Sequence, residues 1–160
     1  MPEAHFDLEY YGGPGLTVTP RPCACGGARF ELAARIKNAD ESFTVLYSVT
    51  NADGREVGAA CRPACCPAVT VPVPEAVCWD TENPYLYTVT ASLVRRNEVY
   101  DEVSCRAGVR SFSCDPQKGF FLNGIATPLR GVSRHQDWLY KGNALTRDEH
   151  YGDARIIKEL

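Results

Sequence analysis

Ser133, Arg134, His135, Gln136 and Asp137 form an unbroken run of polar and ionisable side chains, with Arg130 three residues upstream of it. Together they supply an imidazole, two guanidinium groups and a carboxylate. An arginine can orient a carboxylate through two parallel hydrogen bonds, and Asp137 is close enough in sequence to fix the ring of His135. The run is approached through Gly119-Phe120-Phe121-Leu122, a turn at Asn123-Gly124, and Thr127 to Val132, which reads as a second strand. Asn-Gly is a strong hairpin signal because both residues tolerate the positive φ of a type I′ turn. A strand ending in clustered ionisable groups looks like the carboxyl edge of a parallel barrel strand, where such enzymes keep their chemistry. Each candidate also has an ordinary reading. His135 could be a surface or core-satisfied histidine, Arg130 and Arg134 could form surface ion pairs, and Asp137 could be an exposed loop carboxylate. The position at a strand end favours a pocket edge for His135; for Arg130 and Arg134 the ion pair is the commoner fate, and for Asp137 the two readings stand even. His5 and His150 read as surface residues, and Trp79 as a packing residue whose indole N–H needs a partner.

The eight cysteines are a second possible source of chemistry: Cys23, Cys25, Cys61, Cys65, Cys66, Cys78, Cys105 and Cys114. A C-x-C and a C-x₃-C-C imitate zinc knuckles poorly, since zinc sites favour paired C-x₂₋₄-C spacings. Disulfide frameworks belong to small secreted domains that lack a proper core, and this chain has apolar residues enough to build one. Reduced, unpaired thiols are the expectation.

Bulk composition narrows the rest. An apolar content of 44% and a charged content of 23% over 160 residues are ordinary for a globular chain. The net charge is −3, and no basic block exceeds Arg95-Arg96, so nothing here would displace counterions from nucleic acid. No apolar run is long enough to span a membrane. No signal peptide is seen, which gives a cytoplasmic expectation, although a leader could lie upstream of a segment such as this.

The elements that must position the cluster are mostly strands. His5 to Tyr10 and Leu16 to Thr19 alternate around a Gly-Pro break. Ala28 to Lys37 puts Phe30, Leu32, Ala34 and Ile36 on one face. Phe43 to Thr50 repeats the pattern, Asn51 to Gly54 turns it, and Arg55 to Ala60 returns. Val69, Val71 and Val73 make a short strand between prolines. Tyr85 to Arg95 is the longest, a turn at Arg96-Asn97 leads into Val99 to Val109, and Ser111 to Ser113 closes the series. Seven or eight short strands with turns about every ten residues are the mark of an immunoglobulin-like sandwich. A link at Cys114-Asp115-Pro116-Gln117 would divide a sandwich domain, 1–114, from a second region, 115–160. Thr146-Arg147-Asp148-Glu149 is a capping box opening a helix with Tyr151, Ala154 and Ile157 on one face. The expected class is therefore all-β, an immunoglobulin-like β-sandwich followed by a β-hairpin and one βα unit.

Four segments in order carry a family resemblance: the opening HFDLEYYGGPGLTVTP; Trp79 with Glu82-Asn83-Pro84-Tyr85-Leu86-Tyr87; Gly108-Val109-Arg110-Ser111-Phe112; and the LNG at 122–124 followed by RGVSRH at 130–135. The chain resembles glycoside hydrolase family 2, the β-galactosidases and their relatives. Ser133 and Gln136 stand where that family often has Asn and Glu.

The resemblance implies an internal piece of a retaining hydrolase of terminal β-galactosides or related β-glycosides: the immunoglobulin-like domain plus the first βα unit of a TIM barrel. It implies that His135 lines the subsite of the non-reducing sugar, with Arg130, Arg134 and Asp137 beside it. Retaining glycosidases need two carboxylates about 5–5.5 Å apart. The resemblance places both, as glutamates, beyond Leu160, so the expectation is a domain-positioning piece with no catalytic residue and no turnover of its own. No cofactor is expected in these residues, and a divalent or monovalent metal ion is expected at most in a parent enzyme. The expected partner is carbohydrate. Apolar surface on a lone βα unit calls for cover, and a second copy pairing through it is a further candidate. Two other readings are a free-standing immunoglobulin-like module that binds carbohydrate or protein, and a cysteine-dependent metal module.

Overall fold

The computed structural model describes residues 4–8, 12–24 and 26–160. The expected strand residues Glu9 and Tyr10, and Cys25, lie outside the described residues. The chain divides into two compact units, Met1–Thr127 and Pro128–Leu160.

The first unit is built from strands β1 (His5–Phe6), β2 (Leu16–Pro22), β3 (Ala28–Ala34), β4 (Ile36–Lys37), β5 (Thr44–Thr50), β6 (Glu56–Pro63), β7 (Val69–Val73), β8 (Tyr87–Arg95), β9 (Glu98–Ala107), β10 (Phe112–Asp115), β11 (Gly119–Leu122) and β12 (Ile125–Ala126). Two antiparallel sheets, in the orders β2-β3-β7 and β6-β5-β8-β9, form an immunoglobulin-like sandwich. Strict alternation makes this possible. Along β3 every second side chain is buried, and the buried ones are Ala28, Phe30, Leu32 and Ala34. Val45, Tyr47 and Val49 of β5 and Tyr87, Val89, Ala91 and Leu93 of β8 meet them from the other sheet in one continuous core. The rings of Phe30 and Tyr87 lie edge to face across the sheets, 5.4 Å apart. Each fully buried Val, Leu or Phe contributes about 1.5–3 kcal/mol, whereas an exposed pair such as Arg21–Glu31, at 2.9 Å, contributes about 0–1 kcal/mol. Apolar packing therefore holds this fold. Tyr47 keeps its buried hydroxyl satisfied by donating to the Pro67 carbonyl at 2.6 Å. Tyr87 accepts from the Val77 amide at 2.8 Å.

The third sheet, β10-β11-β12, corrects two sequence expectations. Cys114 to Gln117, read as a link, is the end of β10 and the start of the β10–β11 hairpin loop: Phe112 pairs with Leu122 and Asp115 with Gly119. The Asp115 carboxylate accepts from the amides of Gln117 and Lys118, both at 2.8 Å, and so builds the turn. The second correction concerns Thr127 to Val132. The strand after the Asn-Gly turn is Ile125–Ala126 alone, and residues 127–137 carry no ladder. The Thr127 amide still donates to Phe120 at 2.9 Å, but Pro128 has no N–H to continue. A parallel strand also needs neighbours on both sides, and none flanks these residues among those described.

The Asn123-Gly124 turn is as read, with φ of 51° and 79°. Arg96-Asn97 repeats that geometry, with φ of 50° and 64°, between β8 and β9.

The second unit holds one helix, α1 (Arg147–Glu159), preceded by irregular chain. Its capping box forms as expected, Thr146 accepting from the Glu149 amide and Glu149 reaching back to the Thr146 amide at 2.7 Å. No residue of α1 is fully buried. Among the described residues no helix is long and apolar enough to cross a membrane.

Candidate functional site

Within the second unit, the run from Arg134 to Trp138 is tied to α1 by side chains rather than by a ladder. Arg134 Nε donates to Asp153 Oδ2 at 2.8 Å, and its Nη2 donates to the same oxygen. Trp138 Nε1 also donates there, at 3.3 Å. Arg134 Nη2 lies 3.2 Å from His150 Nδ1. These donors, Arg134 first, hold the Asp153 carboxyl below the usual carboxylate range. Lys141 pairs with Glu149, and with the Thr146 cap it draws Glu149 down to about 2. A general acid needs a raised pKa, and Glu149 and Asp153 are shifted the other way.

The four residues singled out from sequence separate into two groups. Arg134 is folded against the helix, its side chain 27% exposed. His135, Asp137 and Arg130 face solvent. The His135 side chain is 92% exposed, with Nδ1 3.8 Å from Asp137 Oδ1, a contact that becomes an ion pair when the ring is protonated. His135 also rims an open depression of about 410 Å³ whose floor is apolar, with Val132, Ile156, Ile157 and Leu160. Such an arrangement can donate and accept hydrogen bonds at an exposed edge. Asp153, Trp138 and His150, which hold the run in place, were not picked out from sequence. No local pattern announces that Asp153 has a partner nineteen residues upstream.

In the first unit three of the motif pieces, at Trp79, at Gly108 to Ser111 and at Asn123, prove to be one packed cluster. Gly108 leaves room for Trp79: a Cβ there would meet the indole side chain at 2.8 Å. Arg110 lies over the same ring, 4.8 Å from its centroid, and the Trp79 amide donates to Val109 at 2.8 Å. Asn123 then ties the hairpin in. Its Nδ2 donates to the Trp79 carbonyl at 3.0 Å, and its Oδ1 accepts from the Ser111 amide at 2.9 Å. Trp79 thus has the packing role expected of it.

The sequence pattern of the Glycosyl hydrolases family 2 matches residues 16–110, more than half of the chain. The chain belongs to glycoside hydrolase family 2. It is 32% identical, over 94% of its length, to the Beta-galactosidase BoGH2A of Bacteroides ovatus, of which it spans 19%. It is 43% identical, over 49% of its length, to a Beta-glucuronidase of Bacteroides fragilis, of which it spans 11%. Among solved structures it superposes on the FMN-binding beta-glucuronidase from Facaelibacterium prausnitzii L2-6 with a TM-score of 0.94 and 57% identity, covering 99% of this chain and 25% of that one. The chain therefore spans between about a tenth and a quarter of these longer relatives.

The cysteines complete the inventory. Cys23, Cys61, Cys65, Cys66, Cys78, Cys105 and Cys114 are free, and Cys105 is pushed up by burial. Among the described residues no three or more His, Cys, Asp or Glu side chains are grouped to hold a metal ion.

Proposed function

We propose that this family 2 chain is the sandwich and pocket-edge segment of a retaining hydrolase that removes terminal β-glucuronosyl residues. The observation that carries the choice of sugar is the 57% identity, over 99% of the chain, to a protein described as a beta-glucuronidase. The match described as a β-galactosidase over nearly the whole chain reaches 32%, which keeps β-galactosides as the second reading. His135, exposed at the rim of the depression, and Asp137, 3.8 Å from its ring, meet hydroxyls of the non-reducing sugar, with Arg130 as a further candidate. Such hydrogen bonds help most where they strengthen as the oxocarbenium-like transition state forms. Arg134 serves the same edge from behind.

The two catalytic carboxylates come from elsewhere in the enzyme, and this chain alone is inactive. The downward shifts of Glu149 and Asp153 leave neither suited to the general-acid role. Leu129, Val132, Leu139 and Ile156 are 57–81% exposed, a patch that calls for cover by further elements of a barrel or by a second copy. Exposed free thiols accord with a reducing, cytoplasmic setting. We assign no cofactor to these residues. The one helix N-terminus is closed by its own cap, and its acidic Asp148 and Glu149 would repel a flavin phosphate. Any metal ion would belong to the rest of the enzyme.

The test expresses the complete reading frame that carries this chain and compares kcat/KM on p-nitrophenyl β-D-glucuronide and β-D-galactopyranoside. The expected result favours the glucuronide, with His135→Ala losing about 10²-fold, the scale of one lost transition-state hydrogen bond. Preference for the galactoside, or an unchanged kcat/KM in His135→Ala, overturns the corresponding part of the reading.

A further inference from the structure

We infer that Asp153 is a positioning residue that holds His135 in register with the sugar, acting through Arg134 and Trp138. This rests on the reading of His135 as a sugar-binding group. A single carboxylate oxygen, Asp153 Oδ2, accepts from Arg134 Nε at 2.8 Å, from Arg134 Nη2 and from Trp138 Nε1 at 3.3 Å. Those two donors stand immediately before His135 and three residues after it. The span His135-Gln136-Asp137 is thus pinned at both ends to one atom of α1. The anchor itself is seated by the helix, where His150, three residues before Asp153, also meets Arg134 at 3.2 Å.

The pinning matters because nothing regular does the job. Residues 127–137 carry no ladder, so past the Thr127 amide's bond to Phe120 the backbone before His135 depends on the side-chain contact of Arg134. On the far side, Trp138 is closed into a tight turn by Trp138 N–H to Gly142 O at 3.1 Å and Gly142 N–H to Trp138 O at 2.9 Å. Arg134 and His135 are neighbours with opposite fates, one side chain 27% exposed and the other 92%. Folding the guanidinium onto Asp153 fixes the backbone from which the imidazole projects. Charge-assisted hydrogen bonds from a guanidinium to a carboxylate are among the strong ones. An exposed pair adds little to global stability, so its worth here is placement, and a misplacement of about 1 Å can cost about 10²-fold in rate.

The experiment is a double-mutant cycle in the complete enzyme, read as kcat and KM on p-nitrophenyl β-D-glucuronide, with thermal melting as the folding control. Asp153→Ala is expected to lower kcat about 10- to 100-fold, with KM changed less and the melting temperature nearly unchanged. In a His135→Ala background the same substitution is expected to change kcat less than about 2-fold, because the group it positions is gone. Trp138→Phe, which removes one donor, is expected to behave in the same way with a smaller drop, and it carries the test if Asp153→Ala does not fold. An equal loss in both backgrounds makes Asp153 merely structural and overturns the proposal. So does a wild-type rate in Asp153→Ala when His135→Ala is impaired. A wild-type rate in His135→Ala instead sinks the sugar-binding reading, and this inference with it.

Discussion

Replacing Asn123 by alanine tests whether its turn is the clamp between the hairpin and the Trp79 cluster. The substitution removes the Nδ2 donor to the Trp79 carbonyl and the Oδ1 acceptor for the Ser111 amide, each contributing about 1 kcal/mol net. It also forces a Cβ-bearing residue without a local hydrogen bond to keep a φ of 51°, at about 1 kcal/mol. The total is about 3 kcal/mol, a large share of the roughly 5–15 kcal/mol by which a domain is stable. A further variant separates the contributions. Asn123→Gly keeps the backbone freedom and loses both hydrogen bonds, giving about 2 kcal/mol. Urea unfolding followed by tryptophan fluorescence, with midpoints compared at constant slope, reads both. A smaller loss for Gly than for Ala is expected. A midpoint for Asn123→Ala within about 0.5 kcal/mol of wild type would refute the clamp.

Three more outcomes follow from the same geometry. Gly108→Ala drives a Cβ to 2.8 Å from the Trp79 side chain and should cost about 1–3 kcal/mol by overpacking, read by thermal unfolding. Burial pushes the Tyr47 phenol up to about 12, above its ordinary value of about 10. A raised folded value means that this residue's stability is complete below pH 10 and is lost as pH climbs toward 12, so Tyr47→Phe should flatten the urea midpoint across that window. Glu149, drawn down to about 2 by Lys141 and the helix cap, has the opposite sign. Its contribution to α1 is complete above the ordinary carboxylate range of about 4.3 and lost as pH falls toward 2. Far-UV circular dichroism should show helix loss in that window, and Glu149→Gln should remove that pH dependence.

Legibility in the sequence followed the range of the physics. Alternation is local, so Phe30, Leu32, Tyr47, Val49 and Val89 announce the sandwich from spacing alone, and Thr146 with Glu149 announces the helix start. Asn123-Gly124 also speaks locally, through the φ it tolerates. Strand pairing is not local. Cys114 to Gln117 looks like a link because prolines and polar residues mark loops of every kind, and only the pairing of Phe112 with Leu122 makes it a hairpin. Thr127 to Val132 has strand composition but, among the described residues, no neighbour paired with it. Of the candidate site, His135 and Asp137 were visible as types in a run. The partners that fix them were not, because Asp153 meets Arg134 across nineteen residues of irregular chain and helix.

The short strand at Ile125–Ala126 also bears on how copies of this chain can associate. β12 is the outermost strand of its sheet and runs straight into Thr127-Pro128. An edge only two residues long, ending in an imino acid, offers an incoming strand almost no backbone to zip onto. That side of the sheet is proofed against fibril-like growth, and any self-association there must proceed through side chains, not through a borrowed ladder.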